Sequence, residues 1–302
     1  MHRFTSTHHS GRAIVGALSQ CAGPIVVALL AIMALTLLIQ SVRAAEDVNQ
    51  RVQCARNLRQ IGQGLLLYSS NYKIYPRTLY DATQPPTAFT TVGEGGITMN
   101  ETDPFFGRNR PAVNDVTAAL FLLVRAIDVS PTVFVCPSTK QVPDDLNNQK
   151  PSGRVNFSSE RNLSYSYAMP YPSVHSIGLG YRLGPNVIAT FAIMADRNDG
   201  DLDGNLSATS ASPMEVQRAM NSRNHGGDGQ NVLYNDGHVE WRPTCWAGDQ
   251  DDCIWGDAVG ILPGPPPTQA RPARTGNGVQ PTLELDSILL PKKGLGFPAA
   301  QQ

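Results

Sequence analysis

The sequence predicts an α+β fold: one long N-terminal helix packed on a small antiparallel sheet, with long loops. Three observations carry this. No charged side chain occurs from residue 13 to 42, an apolar run that passes without a break into an amphipathic segment. A hairpin pattern, two alternating stretches around Asn235-Asp-Gly237, lies near residue 235. Charged residues are only 16% of the chain, while Gly (27) and Pro (23) are plentiful, which suits a loop-rich sheet domain better than a helical bundle.

The apolar run is densest from 24 to 39, where Ile, Val, Leu, Ala and Met predominate. A helix crosses a bilayer with about 20 mostly apolar residues, so residues 23–43 are expected to be a single transmembrane anchor. Residues 1–22 form a polar-to-apolar leader with Arg3, Arg12 and no acidic group, which favours a cytoplasmic N-terminus. Val42-Arg43-Ala44 places small residues at −3 and −1 of a possible signal cut after Ala44. The run exceeds the roughly 7–15 residues of a signal-peptide core, which favours an uncleaved or pilin-type anchor; either way the rest of the chain is exported.

After the anchor, Val48, Val52, Ala55, Leu58, Ile61, Leu65, Tyr68 and Tyr72 recur at steps of three and four. That is the period of a half-buried helix, expected over 44–73 and ended by Tyr75-Pro76. The simplest object is one helix from about Pro24 to Tyr72. Residues 44–262 are then the folded domain. From 77 to 110 a Thr-, Gly- and Pro-rich loop is expected, with one short strand at most. Asn114-Asp115 can cap a helix over 116–127. Strands are expected at 132–135, 164–169 and 186–194, the last central, with a polar loop over 142–161. Residues 263–302 read as a Pro/Gly-rich loose tail, except 283–290, which can add an edge strand or dock on a partner.

Several blocks together resemble bacterial type IV pilin-like (pseudopilin-like) proteins, and more closely a family with a prepilin-type N-terminus and a C-terminal His-x(9)-Asp-Gly motif. They are Gly23-Pro24 with the apolar run after it, Gln53-Cys54 through Gln63-Gly64-Leu65, Tyr72 to Pro76, Cys136-Pro-Ser138, Ala195-Asp196-Arg197, and His225 to Asp236-Gly237. The resemblance implies a pilin-like domain on a membrane anchor, with His225, Asp236, Gly237 and Asp196 as family-motif positions. It also implies a degenerate processing site. Pro24 stands where the family has Phe, which makes a poor prepilin peptidase substrate at Gly23, and Ala28 stands where the family has the Glu associated with subunit register.

Candidate sites are few. Asp199, Asp201 and Asp203 with Gly204 form the first half of a calcium-loop pattern, but Ser210 occupies the twelfth position, so an exposed turn competes with a calcium site. His225, Asp228, Asp236 and His238 carry zinc-type ligands, although Asp236 and His238 sit where side chains fix a turn. Outside the cytoplasm, Cys245 with Cys253 and Cys54 with Cys136 are candidate disulfides. No nucleophile–base motif or phosphate loop is present, and a net charge of −1 offers no footprint for nucleic acid. The function expected is non-enzymatic: a structural protein of a pilus, type II secretion-like assembly or cell surface, single-pass in the bacterial inner membrane. Its partners are then the membrane and other pilin-like subunits or secretion components, with no cofactor beyond possible calcium. The alternatives are a stand-alone exported protein binding a glycan or envelope partner, and a metal-dependent hydrolase.

Overall fold

A computed structural model describes residues 10–89, 105, 110–198, 207–208, 210–249, 252–256, 273–274, 281 and 288–290, with backbone alone at 10–25, 207–208 and 273–274. It contains four α-helices, α1 (Ser10–Tyr72), α2 (Val116–Ile127), α3 (Val174–Gly178) and α4 (Met214–Ala219). The strands are β1 (Tyr165–Ala168), β2 (Ala192–Asp196), β3 (Ser207–Ala208), β4 (Gln230–Tyr234), β5 (Val239–Arg242), β6 (Ala273–Arg274) and β7 (Leu289–Leu290). The fold is α+β. The chain divides into two compact units, Met1–Asn49 and Gln50–Gln302.

In the first unit α1 starts at Ser10, well before the expected start near Pro24. Pro24 therefore sits in a helix interior, where it cannot donate the usual backbone hydrogen bond. Every residue from 26 to 49 is exposed. Val26, Val27, Leu29, Leu30, Ile32 and Met33 are each more than half accessible and form a continuous apolar face. By length and composition this is a helix that can cross a membrane.

In the second unit the helix changes character. Cys54, Leu58, Ile61, Leu65 and Tyr68 are buried, at the three-and-four spacing of one face, whereas Leu66, Leu67 and Tyr72 are exposed. Gly64 faces the segment after α2 at close range. A Cβ there would stand 2.7 Å from Val129 Cγ2, so a larger residue cannot occupy it without displacing that contact. The helix ends at Tyr72 with Lys73 in the left-handed region, and Tyr75-Pro76 follows in extended chain.

The main sheet runs β5-β4-β2-β1-β7, antiparallel throughout, with β2 at its centre. The apolar run 186–194 is strand only from Ala192, where all five residues of β2 are buried. Register pairs Tyr165 with Asp196 and Tyr167 with Met194, so these four side chains share one face by the two-residue period. The β4–β5 hairpin turns on Asn235-Asp-Gly237, with Gly237 at φ 88°, a conformation that only a residue without Cβ adopts cheaply. Within the expected segment 283–290, Leu289–Leu290 form the buried edge strand β7 on β1.

α2 is capped by Asp115, whose side chain accepts from the Ala118 N–H, while Asn114 Nδ2 donates to the Asp81 and Gln84 carbonyls. The expected strand at 132–135 is instead a 3-10 turn, Pro131–Phe134. Ser130 caps it and Pro131 occupies its first position, so local chemistry overrides the β-branched composition. The loop at 142–161 contains three further 3-10 turns and a fully buried Arg154, 4.0 Å from Asp144. Most of 90–109, the acidic stretch 199–206 and most of the tail lie outside the described residues.

Candidate functional site

Four residues remote in sequence converge beneath α1. Cys54 projects from the buried face of the helix, Cys136 follows the 3-10 turn, Asp196 ends β2, and His225 sits in the loop before β4. One potential metal-ligand atom from each, the two Sγ atoms, a carboxylate oxygen and an imidazole nitrogen, lies within 4.8 Å of the others. All four residues are buried, and the His225 side chain is only 3% exposed.

Local structure fixes each side chain. Asn57 Nδ2 donates to the Val135 carbonyl at 3.0 Å, holding the Cys136 segment to α1. Ser222 Oγ donates to the Arg197 carbonyl at 2.7 Å, and Asn221 Nδ2 donates to the Gly227 and Pro243 carbonyls, which pin the loop carrying His225. Gly226 and Gly227, both at positive φ, then let the chain double back into β4.

Asp196 is the hub. Its Oδ1 accepts from the Cys54 thiol at 2.8 Å and from Asn224 Nδ2 at 3.1 Å; its Oδ2 accepts from the Asn231 backbone N–H at 2.7 Å and faces His225 Nε2 at 3.3 Å. A buried carboxylate is costly unless it collects such donors. Burial pushes the Asp196 carboxyl up, yet His225 and these hydrogen bonds hold it below the usual range. His225 Nε2 also lies 3.5 Å from Cys136 Sγ. Hydrogen bonding with Cys54 lowers the Cys136 thiol against its burial, and His225 adds to the effect. Burial opposes protonation of His225, but Asp196 and Cys136 outweigh it and raise its affinity for a proton. The Cys54 thiol is pushed up by burial, then by Cys136 and Asp196. These influences favour a protonated His225 beside an ionised Asp196, with Cys136 the more readily ionised of the two thiols and Cys54 a donor to the carboxylate.

A second layer surrounds it. Tyr165 Oη lies 3.3 Å from Cys54 Sγ, and Ser138 Oγ lies 3.0 Å from Cys136 Sγ and 3.2 Å from His225 Nδ1. The Trp241 ring meets His225 edge-on at 5.3 Å, Arg51 lies 4.2 Å above Trp241, and Arg51 Nη2 pairs with Asp228 at 3.0 Å. This cation–π stack and ion pair roof the imidazole.

The structure redistributes the residues singled out by sequence. Of His225, Asp228, Asp236 and His238, only His225 enters the cluster. Asp228 belongs to the roof, and Asp236 bonds the His238 N–H at 3.0 Å and its Nδ1 at 2.5 Å in the exposed hairpin turn. The structure gives no support to the expected disulfides: among the described residues Cys54, Cys136, Cys245 and Cys253 are unbridged and buried. Cys245 still neighbours Cys253, whose thiol acts with burial to push its own up. The calcium pattern Asp199, Asp201, Asp203 lies outside the described residues, and Gly23 and Pro24 are described in backbone only. Ala28 is exposed on the apolar face. Ser138, Tyr165, Asn224, Asn231 and Trp241 escaped sequence reasoning, because supporting polar residues carry no spacing signal of their own. No family model, curated protein or solved structure matches this chain.

Proposed function

We propose that the chain is a non-enzymatic, envelope-anchored, pilin-like protein. It sits single-pass in a bacterial inner membrane, with its N-terminus cytoplasmic and its α+β domain on the far side. It serves a pilus, a secretion-like assembly or the cell surface as a structural component. The observation that carries this reading is the division of labour along α1. Residues 26–42 are uncharged, mostly apolar and wholly exposed, whereas Cys54, Leu58, Ile61, Leu65 and Tyr68 are buried on a small antiparallel sheet. An apolar helix surface of that length is stable only in lipid or against other apolar helices.

The buried cluster supports a structural more than a catalytic role. His225 Nε2 faces both Cys136 and Asp196 while Nδ1 meets the Ser138 hydroxyl, so the carboxylate does not back the ring from the far side as in a nucleophile–base–acid relay, and burial closes the group to substrate. Membrane fractionation combined with crosslinking in intact cells tests the proposal. Membrane-bound ladders of crosslinked species support an assembly role. A single membrane-bound monomer restricts the function to a lone anchor, and a soluble chain refutes the reading. Sequencing the mature N-terminus separates a cut after Gly23, a cut after Ala44 and no cut; an intact N-terminus is expected.

A further inference from the structure

We propose that Cys54, Cys136, Asp196 and His225 form a four-coordinate structural zinc site that staples α1 to the sheet. Two thiolates, an imidazole and a carboxylate are a donor set for zinc, and a closed set of four protein ligands is the structural type of site. The spacing fits. With Zn–S about 2.3 Å and Zn–N or Zn–O about 2.0–2.1 Å at tetrahedral angles, the S···N edge should be about 3.5 Å and the N···O edge about 3.3 Å. The Cys136 Sγ to His225 Nε2 distance is 3.5 Å, and His225 Nε2 to Asp196 Oδ2 is 3.3 Å. Cys54 currently donates to Asp196 Oδ1 at 2.8 Å; on binding, that hydrogen leaves as a proton and the thiolate turns to the metal.

The outer shell is already that of a ligand set. Ser138 Oγ donates its hydrogen to the Asn224 carbonyl, so it receives the N–H of His225 Nδ1 and leaves Nε2 facing the other three ligands. Asn224 Nδ2 and the Asn231 N–H each hold one oxygen of Asp196. Tyr165 Oη supports Cys54 Sγ. Binding releases to solvent whatever protons the two thiols and Nε2 still hold, and the divalent ion takes their place among three negative ligands. The inference concerns the folded unit alone and does not depend on where α1 resides.

The test uses the full-length chain in detergent, purified without chelators from zinc-supplemented cells, then reduced, stripped and offered Zn2+ or Co2+. One zinc per chain is expected by elemental analysis. The cobalt form should show an intense thiolate-to-metal charge-transfer band and strong d–d bands of tetrahedral geometry. Cys136→Ser and His225→Ala should lose the metal, whereas Cys245→Ser should retain it. If the ligand variants fail to fold, the cobalt spectrum of the unaltered chain still decides. Failure of the reduced chain to take up either ion overturns the proposal. So does a cobalt spectrum without thiolate bands, or a Cys54–Cys136 disulfide in the isolated chain by non-reducing mass mapping.

Discussion

Replacing Leu58 by Ala and, separately, Leu66 by Ala tests which face of α1 holds the domain together. Leu58 is fully buried, within the stripe that continues through Ile61 and Leu65, whereas Leu66 is 45% exposed one helical face away. Burying a leucine contributes about 1.5–3 kcal/mol by transfer alone. Truncation also leaves a cavity, so Leu→Ala in a core costs about 2–5 kcal/mol. Leu58 is a member of the continuous buried core, so the cost falls within that range. At about 2–4 °C of Tm per kcal/mol for a unit of this size, Leu58→Ala should lower Tm by roughly 5–20 °C. Leu66→Ala should fall within about 0.5 kcal/mol of the parent. Circular dichroism melts of the full chain in detergent, with denaturant titrations alongside, supply both numbers. Equal losses for the two variants, or a larger loss for Leu66→Ala, would refute the packing described.

Gly64→Ala should destabilise by up to about 2 kcal/mol, because overpacking against Val129 outweighs the roughly 1 kcal/mol gained in helix propensity; Gly62→Ala, which meets only movable Leu233 methyls at 3.1 and 3.2 Å, should be near neutral in the same melts. Asp144→Ala leaves the buried Arg154 charge and the Ser158 and Leu146 donors unsatisfied, so a loss of about 3–5 kcal/mol is expected in denaturant titration. Arg51→Ala removes the roof over Trp241 and the Asp228 pair; stability should change by under about 1 kcal/mol, while His225 should react faster with diethyl pyrocarbonate. The His238 backbone N–H holds the Asp236 carboxyl below its ordinary value. Since its folded value is depressed, its stabilisation of the turn is present above about pH 3.9 and is lost as pH falls through the folded value; NMR titration of Asp236 should show the low midpoint.

The long helix and the hairpin were legible in the sequence because each depends on a local pattern. An uncharged run followed by a 3.6-residue period specifies α1 from Pro24 onward, and Asn235-Asp-Gly237 between alternating stretches specifies β4–β5. The α2 boundaries were legible for the same reason, an Asp cap before an apolar stripe. At 132–135 the β-branched residues suggest a strand, but Ser130 caps and Pro131 opens a 3-10 turn over Pro131–Phe134. The cluster itself was only half legible. Cys54 and Cys136 stood out as a pair, and Asp196 and His225 as motif positions, but nothing in one dimension places 54, 136, 196 and 225 together. That convergence follows from β2 lying between β1 and β4 and from α1 lying against all three through Cys54 and Gly62, which are tertiary facts. Arg154 was hidden in a polar loop because a buried arginine looks like any other until Asp144 is seen beside it.

Alkaline carbonate extraction of membranes from cells making the full chain tests anchoring most directly. The stretch 26–42, uncharged and exposed throughout, predicts that the chain stays in the membrane pellet and leaves it only with detergent. Release of the intact chain into the carbonate supernatant would contradict the account.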